Sequence, residues 1–261
     1  MSRQIHTSDR RILDRRTLEN DHRRLAAQLR PGLRVLDVGC GTGSITAGIA
    51  QAVGPSGYVV GMDRDPALLK LARDCHASVP NLRFEERDVL TLDIERRFDV
   101  VTAARTLQWI EKPELALSRM KAAAKPQGFI IVLEYNHARN SWEPEPPLAF
   151  RRFYAAFLEW RAANGWDNEI ADRLSGMFAE AGLRQIEVHV EDEVARLGEP
   201  GFSDKTNIWG YVIETIGATI TAAGHLTESE RLAAGAAWEA WRHVEMKRQT
   251  FEARAVEGRA P

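Results

Sequence analysis

The sequence predicts an α/β fold built on a doubly wound, mostly parallel sheet, and three observations carry that expectation. Short apolar runs alternate with amphipathic helical stretches along residues 33–135. The first run, Val35-Leu36-Asp37-Val38, ends in a glycine-dense loop, Gly39-Cys40-Gly41-Thr42-Gly43. The run Phe129–Tyr135 is nearly unbroken in apolar residues, as a parallel strand buried on both faces requires. Strands and helices alternating at this spacing place a ligand at the carboxyl ends of the strands.

The elements follow in order. Residues 9–30 are polar and arginine-rich with Ile12, Leu13, Leu18, Leu25 and Leu29 interspersed, which predicts one or two amphipathic helices before Pro31-Gly32. Residues 33–38 form the first strand, Ser44 to about Val53 a helix, and Tyr58–Asp63 the second strand. Asp65-Pro66 reads as a cap followed by proline at the first helical position, opening a helix with Leu68, Leu69, Leu71 and Ala72 inward. A third strand runs from Leu82 to near Val89, and Phe98–Ala104 is the fourth. Pro113 starts a helix carrying Leu117, Met120 and Ala124, Pro126-Gln127-Gly128 is a turn, and Phe129–Tyr135 is the fifth strand.

The glycine loop carries the chemistry. Gly39, Gly41 and Gly43 can adopt positive φ without a Cβ, so main-chain N–H groups and the positive end of the next helix can face a polar ligand group. Asp63, at the end of the second strand, is placed to accept hydrogen bonds from ribose hydroxyls. The spacing is Gly-x-Gly-x-Gly rather than the Gly-x-Gly-x-x-Gly of dinucleotide sites, since Ser44 stands at the sixth position. Asp37, two residues before the first glycine, would repel a pyrophosphate but could hold a cationic amino group. Asp88 could accept from an exocyclic adenine amine, or simply cap the turn that follows it.

With Asp37, Gly39, Gly41, Gly43, Asp63 and Asp88 in register, the chain resembles the class I S-adenosylmethionine (SAM)-dependent methyltransferases over about Leu33 to Tyr135. Within them it is similar to the ubiquinone/menaquinone-biosynthesis-type and methyltransferase type 11 group of small-molecule enzymes. The resemblance implies a Rossmann-like, seven-stranded sheet, with a sixth strand near Gln185–Val190 and an antiparallel seventh near Gln249–Glu257. It also implies one methyltransferase domain over 1–261, with SAM as cofactor, S-adenosylhomocysteine as product, and Cys40, Arg64, Val89 and Arg105 joining the acids and glycines around the cofactor. Residues Arg16, Thr17 and Asn20 would line its entrance.

Two segments exceed the minimal sheet. Residues 146–166 carry Phe150, Phe153, Tyr154, Phe157, Trp160 and Trp166, and residues 203–247 carry Trp209, Tyr211, Trp238 and Trp241, at helical spacings. Each aromatic can be plain helix core. As inserts after the fifth and sixth strands, they are expected, by resemblance, to form an apolar substrate cover. Gln108, Trp109, Tyr135, Phe153, Phe157 and Trp209 are the expected substrate-binding residues. Methyl transfer asks the protein to align nucleophile and methyl and to exclude water, with a base only where the nucleophile must lose a proton. Glu134 and His137, in the loop expected after the fifth strand, are the candidate bases.

Composition narrows the class. The 261 residues are 44% hydrophobic and 28% charged with net charge −2, a balance that disfavours a nucleic-acid partner. No Asn/Asp-Pro-Pro-Tyr/Phe motif follows the fourth strand, where Ala103-Ala104-Arg105-Thr106 stands. Two cysteines make neither a disulfide framework nor a zinc site, and the seven histidines show no metal-ligand spacing, so no metal is expected. No run of apolar residues is long enough to span a bilayer, and Met1–His6 lack a signal-peptide core, so the expected location is cytoplasmic, without membrane insertion, as a monomer or homodimer. The expected reaction is methylation of N, O or C on a small, largely apolar or aromatic metabolite. The alternatives are a noncatalytic SAM-binding partner or sensor, and a quinol-ring C-methyltransferase; the resemblance implies N or O over ring carbon, since the carbon-methylating quinone enzymes lack an insert as long as 203–247.

Overall fold

A computed structural model describes residues 9–261, so the hexapeptide Met1–His6 read for targeting lies outside the described residues. They fall into two compact units, one of residues 13–135, 170–191 and 253–261 and another of 9–12, 136–169 and 192–252.

The strands are β1 Arg34–Val38, β2 Tyr58–Asp63, β3 Leu82–Glu86, β4 Phe98–Ala104, β5 Ala124–Glu143, β6 Arg184–Val190, β7 Glu193–Arg196 and β8 Arg248–Arg259. Their order is β3-β2-β1-β4-β5-β8-β6, with β7 also paired to β8. Neighbours from β3 to β5 are parallel, whereas β6 and β7 run antiparallel to β8. The α/β, mostly parallel Rossmann-like sheet is therefore as expected, but it has eight strands rather than seven. The additional strand has a simple origin. Val190 pairs with Arg254 and Glu193 with Phe251, so β6 and β7 keep one register against β8 and are separated only at Glu191 and Asp192. There the Glu191 carboxylate is engaged elsewhere: it accepts the backbone N–H groups of Arg23 and Arg24, at the start of helix Arg23–Gln28.

In the sheet-bearing unit one core layer gathers Leu36, Val38, Val60, Met62, Phe98 and Val101 with Leu117 and Met120 of helix Pro113–Ala123 and Phe178 of helix Ile170–Glu180. A second layer joins Leu18, Leu25, Ile49, Val53, Val59 and Ile131. Asp65 caps helix Pro66–Cys75 as the sequence suggested, its Oδ1 accepting from the Ala67 N–H at 2.8 Å. The N-terminal stretch forms three short helices, Arg10–Leu13, Leu18–Asp21 and Arg23–Gln28, rather than one or two. The break falls at His22, whose φ of −154° leaves the helical region while its ring is buried on the Thr102 hydroxyl at 2.9 Å.

Strand β5 departs most from expectation. It begins at Ala124 rather than Phe129, with Gln127 at φ 61° and the β4 register shifting between Phe98 and Val100, so the expected Pro126-Gln127-Gly128 turn survives as an irregularity within a strand. At its other end it continues to Glu143. Glu134, Tyr135, Asn136 and His137 thus lie inside a strand and not in the loop expected there, because the Glu143 C=O accepts the Lys247 N–H at 2.7 Å and the polar residues beyond His137 extend along the same strand.

The other unit is helical, with Leu148–Ala163, Phe202–Thr206, Ile208–Glu214, Ile216–Ala222 and Glu228–Val244. Thr227 and Glu230 form a reciprocal capping box at the start of the last of these. An aromatic core fills it, with the Phe150 and Trp238 rings 4.2 Å apart and Trp142 set edge-on to Tyr154 at 5.0 Å.

Candidate active site

The site begins where β1 stops. Val38 pairs with Met62, so the chain leaves β1 beside the end of β2, and the Met62 C=O accepts the Gly39 N–H at 2.7 Å and the Cys40 N–H at 3.0 Å. Gly39 holds φ 74°, and a Cβ there would lie 2.3 Å from Thr106 Oγ1, so this position admits glycine only. At Gly41, φ 56° carries the N–H toward Asp63, whose Oδ2 accepts it at 2.9 Å, while Oδ1 accepts the Asp65 N–H at 3.0 Å. Burial raises the Asp63 carboxyl above its ordinary value against the pull of these backbone donors.

Asp37 is buried, and Thr46 Oγ1 donates to its Oδ2 at 2.6 Å. Burial pushes this carboxyl up to about 7, with the hydroxyl hydrogen bond pulling down and the Asp63 charge adding to the rise. A buried acid so destabilised as an anion is suited to a cationic group placed against it. Cys40 is no nucleophile, since burial and the neighbouring acids push its thiol well above the usual range. Arg64 is exposed beside Asp63. Asp88 spends Oδ1 on the Leu90 N–H at 2.8 Å as the cap of the turn Val89–Thr91, and the Val89 side chain is in the core.

After β4, Arg105 takes φ 56° and is buried. Its Nε donates to the Tyr135 Oη at 2.6 Å, its guanidinium lies 5.0 Å from that ring, and Nη2 is 3.9 Å from the Asp21 carboxylate. Gln108 is buried and Trp109 half-buried in the turn Leu107–Trp109. Glu134 is fully buried, its Oε1 accepting the Thr106 N–H at 2.9 Å and the Leu107 N–H at 2.6 Å, which fixes the turn after β4 to β5.

Asp37, the glycine loop, Asp63, Arg64, Asp88, Val89, Arg105, Gln108, Trp109, Glu134 and Tyr135 belong to the sheet-bearing unit. His137, Phe153, Phe157 and Trp209 belong to the helical one. There the His137 ring meets Phe157 edge-on at 5.6 Å, while the His137 backbone N–H donates to the Asn168 C=O at 2.7 Å and its backbone C=O accepts the Tyr154 hydroxyl. Burial and the Arg161 charge drive the imidazole well below its ordinary pKa, so it is neutral at physiological pH. Trp209 stands 4.9 Å from Tyr154 and 5.3 Å from Phe157, while Phe153 lies 6.5 Å from Phe150.

Sequence reading missed Thr46, His22 and Trp142. Thr46 carried a signal, a polar residue on the inward face of a helix otherwise lined by Ala47, Ile49 and Ala50. Among the described residues one group, Glu187, His189 and Glu257, has metal-ligand spacing, but Arg24 already engages both carboxylates.

A glycine-rich turn between β1 and its helix, an acid at the end of β2 holding that turn, and a buried acid inside β1 define the nucleoside-cofactor end of a class I methyltransferase sheet. A family model described as a methyltransferase domain matches residues 29–177, more than half of the chain, and the chain belongs to that family. A demethylmenaquinone methyltransferase of Staphylococcus aureus is 28% identical over 201 residues, covering 70% of this chain and 80% of the relative. Among solved structures, a SAM-dependent methyltransferase from Aquifex aeolicus aligns over 94% of this chain and 92% of its own at 15% identity and TM-score 0.53. A Haemonchus contortus phosphoethanolamine N-methyltransferase 2, solved with phosphomonomethylethanolamine and S-adenosylhomocysteine, aligns over 92% of this chain and 52% of its own at 16% identity and TM-score 0.58. The protein is a SAM-dependent methyltransferase. No helix among the described residues is long and apolar enough to cross a membrane.

Proposed function

We propose that the protein transfers the methyl group of SAM to nitrogen, oxygen or carbon of a small, largely apolar or aromatic metabolite. The observation that carries this reading is the aromatic core of the inserts, where Trp142, Phe150, Tyr154, Phe157 and Trp209 meet at ring separations from 4.9 to 6.2 Å. Aromatic side chains of this kind, where they face a ligand, favour a flat apolar acceptor and exclude water that would compete for the methyl group. In this reading the inserts 146–166 and 203–247 carry the acceptor.

SAM supplies an already activated methyl group on a sulfonium. The residues of the chain then bind and align. Asp63 accepts the ribose hydroxyls, Asp37 holds the amino-acid ammonium, and the Gly39–Gly43 backbone admits the cofactor closely, with Cys40, Arg64, Asp88, Val89 and Arg105 around it. Gln108, Trp109, Tyr135, Phe153, Phe157 and Trp209 contribute to the acceptor side. Of the two candidate bases, Glu134 acts as a positioning residue through its two backbone hydrogen bonds, and the neutral His137 imidazole takes a proton where the acceptor must lose one. Burial and the Arg161 charge weaken His137 as a base, so its part is greatest where the acceptor needs little help in losing its proton.

A second reading, carbon methylation of a quinol ring, is supported by the demethylmenaquinone methyltransferase relative. Incubation with methyl-labelled SAM and a panel of quinols, phenols and ring amines tests both. Label on oxygen or nitrogen of a phenol or amine, or on carbon of an acceptor other than a quinol, supports the first reading, label on quinol-ring carbon the second, and tight SAM binding with no transfer to any acceptor supports a noncatalytic SAM-binding role.

A further inference from the structure

Strand β6 is the last strand of the sheet path, and no strand among the described residues pairs with its outer side. Its sequence is unusual for an edge. Val188 and Val190 are 52% and 65% exposed on one face, and the strand contains neither lysine nor proline, two common devices for blunting an edge. We propose that β6 pairs with β6 of a second copy of this chain about a two-fold axis at Val188, making one continuous sheet across a homodimer.

The backbone is set for that pairing. The Glu191 N–H donates to the Ala253 C=O, and the register of β6 on β8 runs unbroken from Glu187 opposite Glu257 to Val190 opposite Arg254. Alternation along an antiparallel ladder then points the N–H and C=O of Glu187 and His189 at β8, and those of Val188 and Val190 outward. Centred on Val188, the two edges form a hydrogen-bonded pair in which each Val188 exchanges both bonds with its counterpart, and Val190 meets the partner's Ile186. The ladder ends at Gln185, whose φ of 51° marks the shift in β6 register.

Side-chain chemistry selects this register over its neighbours. About Val188, the apolar Ile186, Val188 and Val190 share one face with their counterparts, and on the other face Glu187 stands opposite the partner's His189 and His189 opposite the partner's Glu187. Each chain already brings His189 Nε2 within 3.5 Å of its own Glu187 Oε2, with Arg24 Nη2 at 3.3 Å from that same oxygen, so the two-fold axis gathers alternating acid and base. Moving the two-fold axis by one residue to either side, a register shift of two, places Glu187 against itself, or His189 against itself and Glu187 against Glu191. Like groups directly opposite are destabilising. An isologous contact of this kind closes on itself and covers the β6 edge of both copies.

Sedimentation velocity on the full chain across the micromolar range tests the proposal. The expected result is a concentration-dependent dimer. Val188→Asp, which sets two carboxylates against each other at the axis, should give a monomer with unchanged circular dichroism and SAM affinity. His189→Glu provides an independent disruption, should Val188→Asp fail to fold, and the swapped double variant Glu187→His/His189→Glu should restore the dimer. A wild-type chain that stays monomeric throughout the range, or a dimer that persists in folded Val188→Asp or His189→Glu, would overturn it.

Discussion

In the proposed function Asp37 is the residue whose chemistry bears most directly on cofactor affinity. With its carboxyl raised to about 7 by burial, a protein sample near neutral pH holds it partly protonated, and only the anion attracts an ammonium group. A cation in contact lowers the carboxyl pKa, so affinity for SAM should rise as pH increases through about 7, by up to tenfold per unit below it, and level off above. Calorimetric titrations across pH check this, and Asp37→Asn should bind more weakly with a flat profile. A steep wild-type slope retained in Asp37→Asn would remove Asp37 from that role. At this scale the strand-end positions of Asp37 and Asp63 were legible because apolar runs mark the strands that carry them, whereas Asp88 is the cap of the turn that follows it. Glu134 was legible as an unusual residue but not as to its partners, since the hydrogen bonds to Thr106 and Leu107 join segments 27 and 28 residues apart.

At the scale of elements, Glu134 links β5 to the turn after β4. Glu134→Gln keeps an acceptor oxygen for Thr106 and Leu107 but loses its charge, whereas Glu134→Ala leaves two buried N–H groups without their acceptor, at about 1–3 kcal/mol. Turnover should therefore survive in Glu134→Gln and fall about tenfold or more in Glu134→Ala, with an unchanged pH profile for the former. Steady-state kinetics with SAM and an accepted substrate measure the difference; a loss of kcat in Glu134→Gln as large as in Glu134→Ala would instead make the carboxylate itself a catalytic group. The strands up to β4 were readable because apolar periodicity and turn residues mark both ends. The end of β5 was not, because residues beyond His137 are polar and their strand character comes from pairing with a segment more than 100 residues later. Helix Ile170–Glu180 was missed between the two aromatic inserts, and β7 is too short to show a period.

At the scale of the molecule, acid stability depends on histidines buried without charge. Burial and the Arg105 charge lower His22 to about 3, against 6.5 in an unfolded chain. As pH falls below 6.5 the unfolded chain takes up a proton that the folded one refuses, so stability drops by about 1.4 kcal/mol per unit until pH nears 3, where the loss is complete. His137 acts in the same direction, and Asp37 opposes it between about 7 and 3.8, because the folded state binds that proton more readily. The difference between wild type and His22→Gln, which can still donate to Thr102, isolates the histidine: the variant should lose less stability between pH 6.5 and 4 in urea unfolding. Equal losses would show that His22 does not control the acid limb. The two-unit organisation was partly legible, since both aromatic inserts stand out from the strand-helix alternation, whereas the assignment of β5 and β8 segments to both units was not.

In the proposed function the β1 turn and the acid at the end of β2 hold SAM. Isothermal calorimetry with S-adenosylhomocysteine on wild type and Asp63→Ala tests it most directly. The expected result is an at least tenfold weaker affinity for the folded variant, about 1.4 kcal/mol or more, through loss of the ribose acceptor and of the carboxylate that holds the Gly41 N–H. Unchanged affinity in a folded Asp63→Ala protein would contradict it.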